Sequence, residues 1–145
     1  MRHVLFAVLC LPLVLSAQVA VTEPTPAFDT VVLQVLEKVA QRAIAAYNAN
    51  DLTALRAEIA KSAPGLEDEA AFRRLYNDYY RVDFGKLSAL RLDRKASVTH
   101  RDRGVLVYDA VFEKAPRAKI NVNFTREAGE LKIAQLRLER IETAK

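Results

Sequence analysis

"RGVLVYDAVFEKAPRAKINVNFTREAGELKIAQLRLERI", residues 103–141, decides the fold. Its apolar residues recur at every second position through three segments, the period of a β-strand. "VLVYDAVFEK" is apolar on both faces. Val105, Val107 and Val111 lie on one, and Leu106, Tyr108, Ala110 and Phe112 on the other, as in a central strand covered on both sides. "AKINVNFTRE" sends Ile120, Val122 and Phe124 inward and Lys119, Asn121, Asn123 and Thr125 outward. Ala115-Pro116 and Ala128-Gly129 are turns. In the last segment Leu131 and Ile133 share one phase, and Leu136 and Leu138 share the opposite one. One residue inserted around Ala134-Gln135 predicts a β-bulge, and bulges bend a sheet.

Upstream, "LSALRLDRKASVTHR" keeps the period of two. It places Leu90, Leu92, Ala96 and Val98 on one face with Arg94 and His100 in phase, followed by a turn at Asp102-Arg103-Gly104. Before Gly85 the period is 3.6. Residues 30–50 form a long helix with a stripe of Val32, Leu33, Leu36, Val39, Ala40, Ala43, Ile44 and Tyr47, capped by Asp29 and stopped by Asn48 and Asn50. Asp51 caps a second helix, "LTALRAEIAKSA", striped by Leu52, Leu55 and Ile59 and ended by Pro64-Gly65. A third runs over 67–83, acidic in its first turn, with Phe72, Leu75, Tyr76 and Tyr79 as its stripe and Tyr80 beside it. Three helices followed by four strands predict an α+β domain, the helices packed on one side of a curved four-stranded antiparallel sheet.

The amino-terminal residues predict a signal peptide over 1–17. "MRH" is a positive start, "VLFAVLCLPLVL" an apolar core, and Ala17 the expected cleavage point. Residues 18–28, with Pro24 and Pro26, form an extended leader, and 29–145 a single domain. Localisation is then periplasmic or secreted, with no stable membrane insertion after cleavage. The alternative is an uncleaved anchor over Val4 to Val21, which Pro12 interrupts. Cys10 falls inside the apolar core, so the mature chain has no disulfide, thiolate nucleophile or cysteine-based zinc site. The 145 residues suffice for one domain with a real core. A hydrophobic share of 51% with 28% charged residues excludes a disordered chain. The net charge of +4 is spread among interleaved acids and bases, without the clustered basic face of a nucleic-acid reader.

The long first helix ending in "AAYNANDLTALRA", the aromatic "FRRLYNDYYRVDFG" and the strands "VLVYDAVFE" and "INVNFTREAGELKIAQLRLE" together resemble the cystatin-like, NTF2-like superfamily. In particular the chain looks like small exported bacterial domains of that fold. The resemblance spans about Phe28 to Ile141. It implies a cone-shaped half-barrel whose open end often makes a pocket, in a superfamily that holds isomerases, dehydratases, ligand binders and assembly domains.

Enzymes of that superfamily pair a tyrosine donor with a carboxylate base inside the cone. Asp109, mid-strand between Val107 and Val111, is the carboxylate to test; facing solvent, it would instead pair with a cation. His100 is the alternative acid-base group, or a solvent-facing strand end. Tyr47, Tyr76 and Tyr80 are the candidate ligand-lining residues, or core rings with wet hydroxyls. Arg94 meets an anionic ligand at the cone's mouth or pairs with Asp78 or Asp83. No metal or cofactor set is present in the sequence: His100 is the one histidine of the mature chain, and no phosphate loop, G-x-S-x-G or H-E-x-x-H occurs. The expectation is a non-catalytic domain that binds a small molecule or protein partner through the concave side of the sheet. The alternatives are a small proton-transfer enzyme using Asp109 or His100 with a tyrosine, and an assembly domain that forms a homodimer through the row Lys119, Asn121, Asn123 and Thr125.

Overall fold

A computed structural model describes residues 30–100 and 103–142. The expected signal peptide, leader and Asp29 cap, and part of the expected turn before Gly104, lie outside the described residues. Helix α1, Thr30–Ala49, buries Leu33, Leu36, Ala40, Ala43, Ile44 and Tyr47 along the stripe that its period predicts. It ends where Asn50 turns left-handed at φ 59°, and the Asp51 N–H reaches back to the Ala46 carbonyl at 2.9 Å. Asparagine tolerates that conformation because its short side chain bonds locally. The Asp51 carboxylate then accepts from the Ala54 N–H and starts α2, Leu52–Glu58.

Helix α2 is shorter than its sequence predicts. Ile59 leaves the helix in an extended conformation and bridges Ile133 in parallel, and the Ala60 N–H donates to the Ile133 carbonyl at 2.8 Å. A β-branched residue loses little by this exit, and its burial is kept. The Glu127 carboxylate holds the chain there by accepting from the N–H groups of Lys61 and Ser62.

The third helical stretch begins at Asp68, whose side chain caps Ala71, and comprises α3, Glu69–Arg73, a π-helical segment, Arg74–Tyr80, and α4, Arg81–Phe84. The π segment corrects the expected stripe. Phe72, Tyr76, Tyr80 and Phe84 recur every four residues. At 3.6 residues per α-turn that repeat drifts about 40° per step. The wider π turn drifts the other way, so the four rings stay in line. They form a continuous contact series at centroid separations of 4.8, 5.5 and 6.0 Å, which Phe84 extends to Phe112 at 5.2 Å. Tyr79 is left on the solvent side, 59% exposed.

The sheet contains β1, Leu87–Leu92, β2, Val98–Thr99, β3, Gly104–Phe112, β4, Ala118–Glu127, and β5, Glu130–Arg140, in the order β1-β3-β4-β5 and antiparallel throughout. The expected strand over 87–100 is therefore two strands. Both pair with the same edge of β3, which makes five strands in place of four. Between them Asp93 accepts from the N–H groups of Lys95 and Ala96, an Asx turn, and the buried Ser97 hydroxyl accepts from the Val107 N–H that the ladder would otherwise leave unpaired. This loop flips the phase. Thr99 points inward and Val98 outward, the reverse of the sequence expectation.

The architecture is α+β, with the helices against one face of an antiparallel sheet. Leu106, Tyr108, Ala110 and Phe112 of β3, Ile120, Val122 and Phe124 of β4, and Ile133, Leu136 and Leu138 of β5 are buried in one cluster with the helices. The inserted residue is visible in the register: Phe124 opposes Ile133 and Asn123 opposes Gln135, so Ala134 has no partner on β4. The β4–β5 turn uses Ala128 and Gly129, both left-handed at φ 50° and 85°, as a two-residue hairpin with right-handed strand twist requires.

Candidate functional site

The residues singled out in the sequence fall in separate places. Asp109 lies on the sheet face away from the helices. Its carboxylate accepts from Arg91 at 2.8 Å and faces Lys119 at 3.5 Å. Arg91, by its hydrogen bond, and then Lys119 hold its pKa below the usual aspartate range. A depressed folded-state pKa contributes stability above the ordinary aspartate range and loses it as pH falls through the lower value. That is the opposite of the raised pKa of a general base in an apolar site. Lys119 continues the chain of charges to Asp93 at 3.2 Å. His100 is exposed at the end of β2, and Arg94 is exposed in the loop after β1, not in a strand. The tyrosines are on the opposite, helix-facing side, so the carboxylate and the tyrosine donors are not brought together. Among the described residues no cluster of three metal-ligating side chains occurs, and no helix is long and apolar enough to cross a membrane.

Tyr47 and Tyr76 are both core rings, with opposite hydrogen-bonding states. The Tyr47 hydroxyl donates to the carbonyl of Gly85 at 2.9 Å and lies 3.2 Å from that of Tyr80, tying α1 to the end of α4. Burial pushes its pKa up to about 12. Tyr76 is 1% exposed, and its hydroxyl has no hydrogen-bond partner among the described residues; burial raises its pKa as well. Removing a bonded hydroxyl and removing an unbonded one differ in sign. Tyr47→Phe is expected to destabilise by about 1–2 kcal/mol, and Tyr76→Phe to be neutral or to stabilise by about 1 kcal/mol. Urea titration of the two variants reads both directly. Equal losses in both would show that Tyr76 has a partner.

Of the candidate tyrosines, Tyr80 lines a groove. That groove, about 440 Å³, opens where the segment 64–80 passes the outer edge of β5. Pro64, Leu66 and Leu75 wall it, Ala134 and Leu136 floor it at the bulge, and the amides of Asn123 and Gln135, bonded to each other at 3.0 Å, stand at its rim. The Ile59–Ile133 bridge brings this loop to the sheet edge, and the bulge sets Ala134 and Gln135 as consecutive residues off the core. Among its lining residues, tyrosine apart, there is no acid or base. A groove of about 390 Å³ on the opposite face differs, being lined by Arg91, Asp109 and Arg117. Pattern reasoning named Tyr80 and located the bulge. It missed Leu66, Leu75, Asn123, Gln135 and Leu136 as lining, because nothing in the local pattern places Ile59 against β5.

The helix-facing side of the sheet is filled with core residues. Its far side carries no helical layer, and Val98, Val105 and Val111 are exposed there, so β3 is not covered on both sides as its apolar faces predict. No protein-family profile matches the chain, and no curated protein matches it. A crystal structure from Kribbella flavida DSM 17836, described only as a "known function protein", is similar at 20% identity, over 70% of this chain and 82% of the other, with a TM-score of 0.46.

Proposed function

We propose that this chain is a non-catalytic binding domain of the cystatin-like, NTF2-like cone type, exported by its signal peptide. It takes an uncharged, partly apolar ligand or protein segment in the groove at the β5 bulge. The observation that carries the reading is the groove itself: a concave, charge-free site lined by the apolar side chains of Leu66 and Leu75, the Tyr80 ring and two amides, Asn123 and Gln135, that bond each other. That combination is what a small-molecule or segment site needs for affinity and orientation. The binding surface is the β5 margin of the helix-facing side; the middle of that side is core.

Support for a binding role over proton transfer comes from the separation of Asp109 and His100 from the tyrosines. The test is a screen of uncharged fragments by amide NMR. Shifts are expected to cluster at Leu66, Leu75 and Ala134–Leu136 and to vanish in Leu75→Arg, which places a charge on a half-buried wall without emptying the core. Hits that cluster instead beside Arg91 and Arg117, or nowhere, sink the reading. A second reading, assembly of copies through the uncovered sheet face, rests on the exposed Val98, Val105 and Val111. A monomer at all concentrations in sedimentation removes it.

A further inference from the structure

A second groove, apart from the one at the β5 bulge, is laid out by the strand register on the far face of the sheet. Arg91 of β1 stands beside Asp109 of β3, Asp109 beside Lys119 of β4, and Lys119 beside Glu139 of β5. Every charge in that row is matched. Asp109 meets Arg91 at 2.8 Å and Lys119 at 3.5 Å, Lys119 reaches Asp93 at 3.2 Å, and Glu139 pairs with Arg137 at 2.9 Å. The next row, toward the β3–β4 turn, is not matched. Ala89 opposes Val111, and beyond the Ala110–Ala118 pair comes Arg117, whose carbonyl accepts from the Ile141 N–H at 2.9 Å. Arg117 is thus an exposed cation set between Val111 and Ile141, with no acid in its own row. Among the described residues no hydrogen bond or ion pair holds its guanidinium.

We infer that this groove binds a monocarboxylate with an apolar body, the carboxylate between Arg91 and Arg117 and the body on Ala89 and Val111. Its volume, about 390 Å³, falls within the range of roughly 300–1,000 Å³ that small-ligand sites occupy. Apart from Arg91, Asp109 and Arg117, every residue that lines it is apolar. Arg91 spends one terminal nitrogen on Asp109, and Arg117 spends none. The remaining N–H groups of two guanidinium forks are left for an anion, and a planar carboxylate matches their geometry. Asp109 limits the charge of that anion. Two cations and one acid leave a single positive charge in excess, which suits a monoanion better than a phosphate dianion. The apolar lining limits it in another way, because a bare anion leaves Ala89 and Val111 wet, and only a ligand with an apolar body covers them.

The test follows the backbone amides of the full chain by NMR during titration with 3-phenylpropanoate, with its neutral counterpart 3-phenylpropanamide, and with acetate. The expected result is shifts at Ala89, Val111 and Ile141 with 3-phenylpropanoate, and binding roughly tenfold weaker for the other two, one lacking the charge and the other the apolar body. Arg117→Gln is expected to weaken 3-phenylpropanoate roughly tenfold at an unchanged urea midpoint, since an exposed side chain without partners contributes little to stability. Equal binding of the amide, or no effect of Arg117→Gln, overturns recognition of the carboxylate. Equal binding of acetate overturns the role of the apolar floor. Shifts at Leu75 and Ala134–Leu136 in place of Ala89 and Val111 move the ligand to the β5 groove and overturn this inference while leaving that reading in place. No shift with any of the three overturns this inference alone, because the β5 groove is tested by uncharged fragments.

Discussion

Phe112→Ala is expected to lower the unfolding free energy by about 3–5 kcal/mol, the range for truncating a buried phenylalanine. Phe112 is 2% exposed and sits where three elements meet. Its ring packs edge-on against Phe84 of α4 at 5.2 Å and against Tyr47 of α1 at 6.2 Å. It also ends the aromatic series that runs down the third helical stretch, so the truncation removes the aromatic contact by which that series reaches the sheet. The neighbouring Val111 points to the uncovered face and is exposed, and Val111→Ala is expected to change stability by no more than about 0.5 kcal/mol. Urea unfolding of the two variants, with midpoints compared at unchanged slope, reads the difference. Comparable losses at 111 and 112 would mean that the helices do not lie on the face assigned here.

The same pair of residues shows what the sequence could and could not deliver. Alternation in "VLVYDAVFEK" separates Val111 from Phe112 without any structure, and the opposite phases of Ile133 and Leu136 reveal the bulge at Ala134. Both are local signals of period two, and a strand with one buried face has to obey them. Asn50-Asp51 is legible for the same reason, since one residue accepts a left-handed turn and the next caps a helix. The misread elements depend on partners distant in sequence. Ile59 reads as helical because Leu52 and Leu55 precede it; the Ile133 carbonyl, waiting 74 positions along at the sheet edge, pulls its neighbour out of the helix. Residues 93–97 read as strand because nothing local shows that the Ser97 hydroxyl replaces a ladder partner for Val107. The π segment is hinted at by the four-residue spacing of Phe72, Tyr76, Tyr80 and Phe84, a repeat that a plain α-helix cannot hold on one line.

The candidate site was legible to the extent that its parts are local. Tyr80 belongs to an aromatic cluster and Ala134 to a phase break, and each is visible alone. Their meeting is not, because the groove exists only once the Ile59 bridge has carried the following loop to β5. Asp109 is legible as one of two alternatives: a desolvated carboxylate among valines, or a solvent-facing one paired with a cation. The second is what the structure shows, with Arg91 and Lys119 as the cations, which come from neighbouring strands whose register the sequence does not state.

Gly85→Ala is the second large effect expected, a loss of about 2–4 kcal/mol from backbone strain and overlap together. Gly85 ends α4 at φ 72° and ψ −148°, a region that residues with a Cβ hardly enter. An added Cβ would also sit 2.8 Å from the Glu113 carboxylate and 3.2 Å from the Glu113 Cβ. Glu113 has little freedom to retreat: its carboxylate accepts from the Lys86 N–H, and its own N–H donates to the Lys86 carbonyl. The Gly85 carbonyl is in turn the acceptor for Tyr47, so a backbone rotation that relieves the strain breaks the tie between α1 and α4. Gly65 separates the two contributions. It has a similar φ of 74° with no atom near its would-be Cβ, so Gly65→Ala carries only the left-handed penalty, about 1–2 kcal/mol. Combining Gly85→Ala with Glu113→Ala removes the overlap and leaves the strain, and the double variant is expected to recover part of the loss. If Gly85→Ala costs no more than Gly65→Ala, the overlap with Glu113 contributes nothing to the loss.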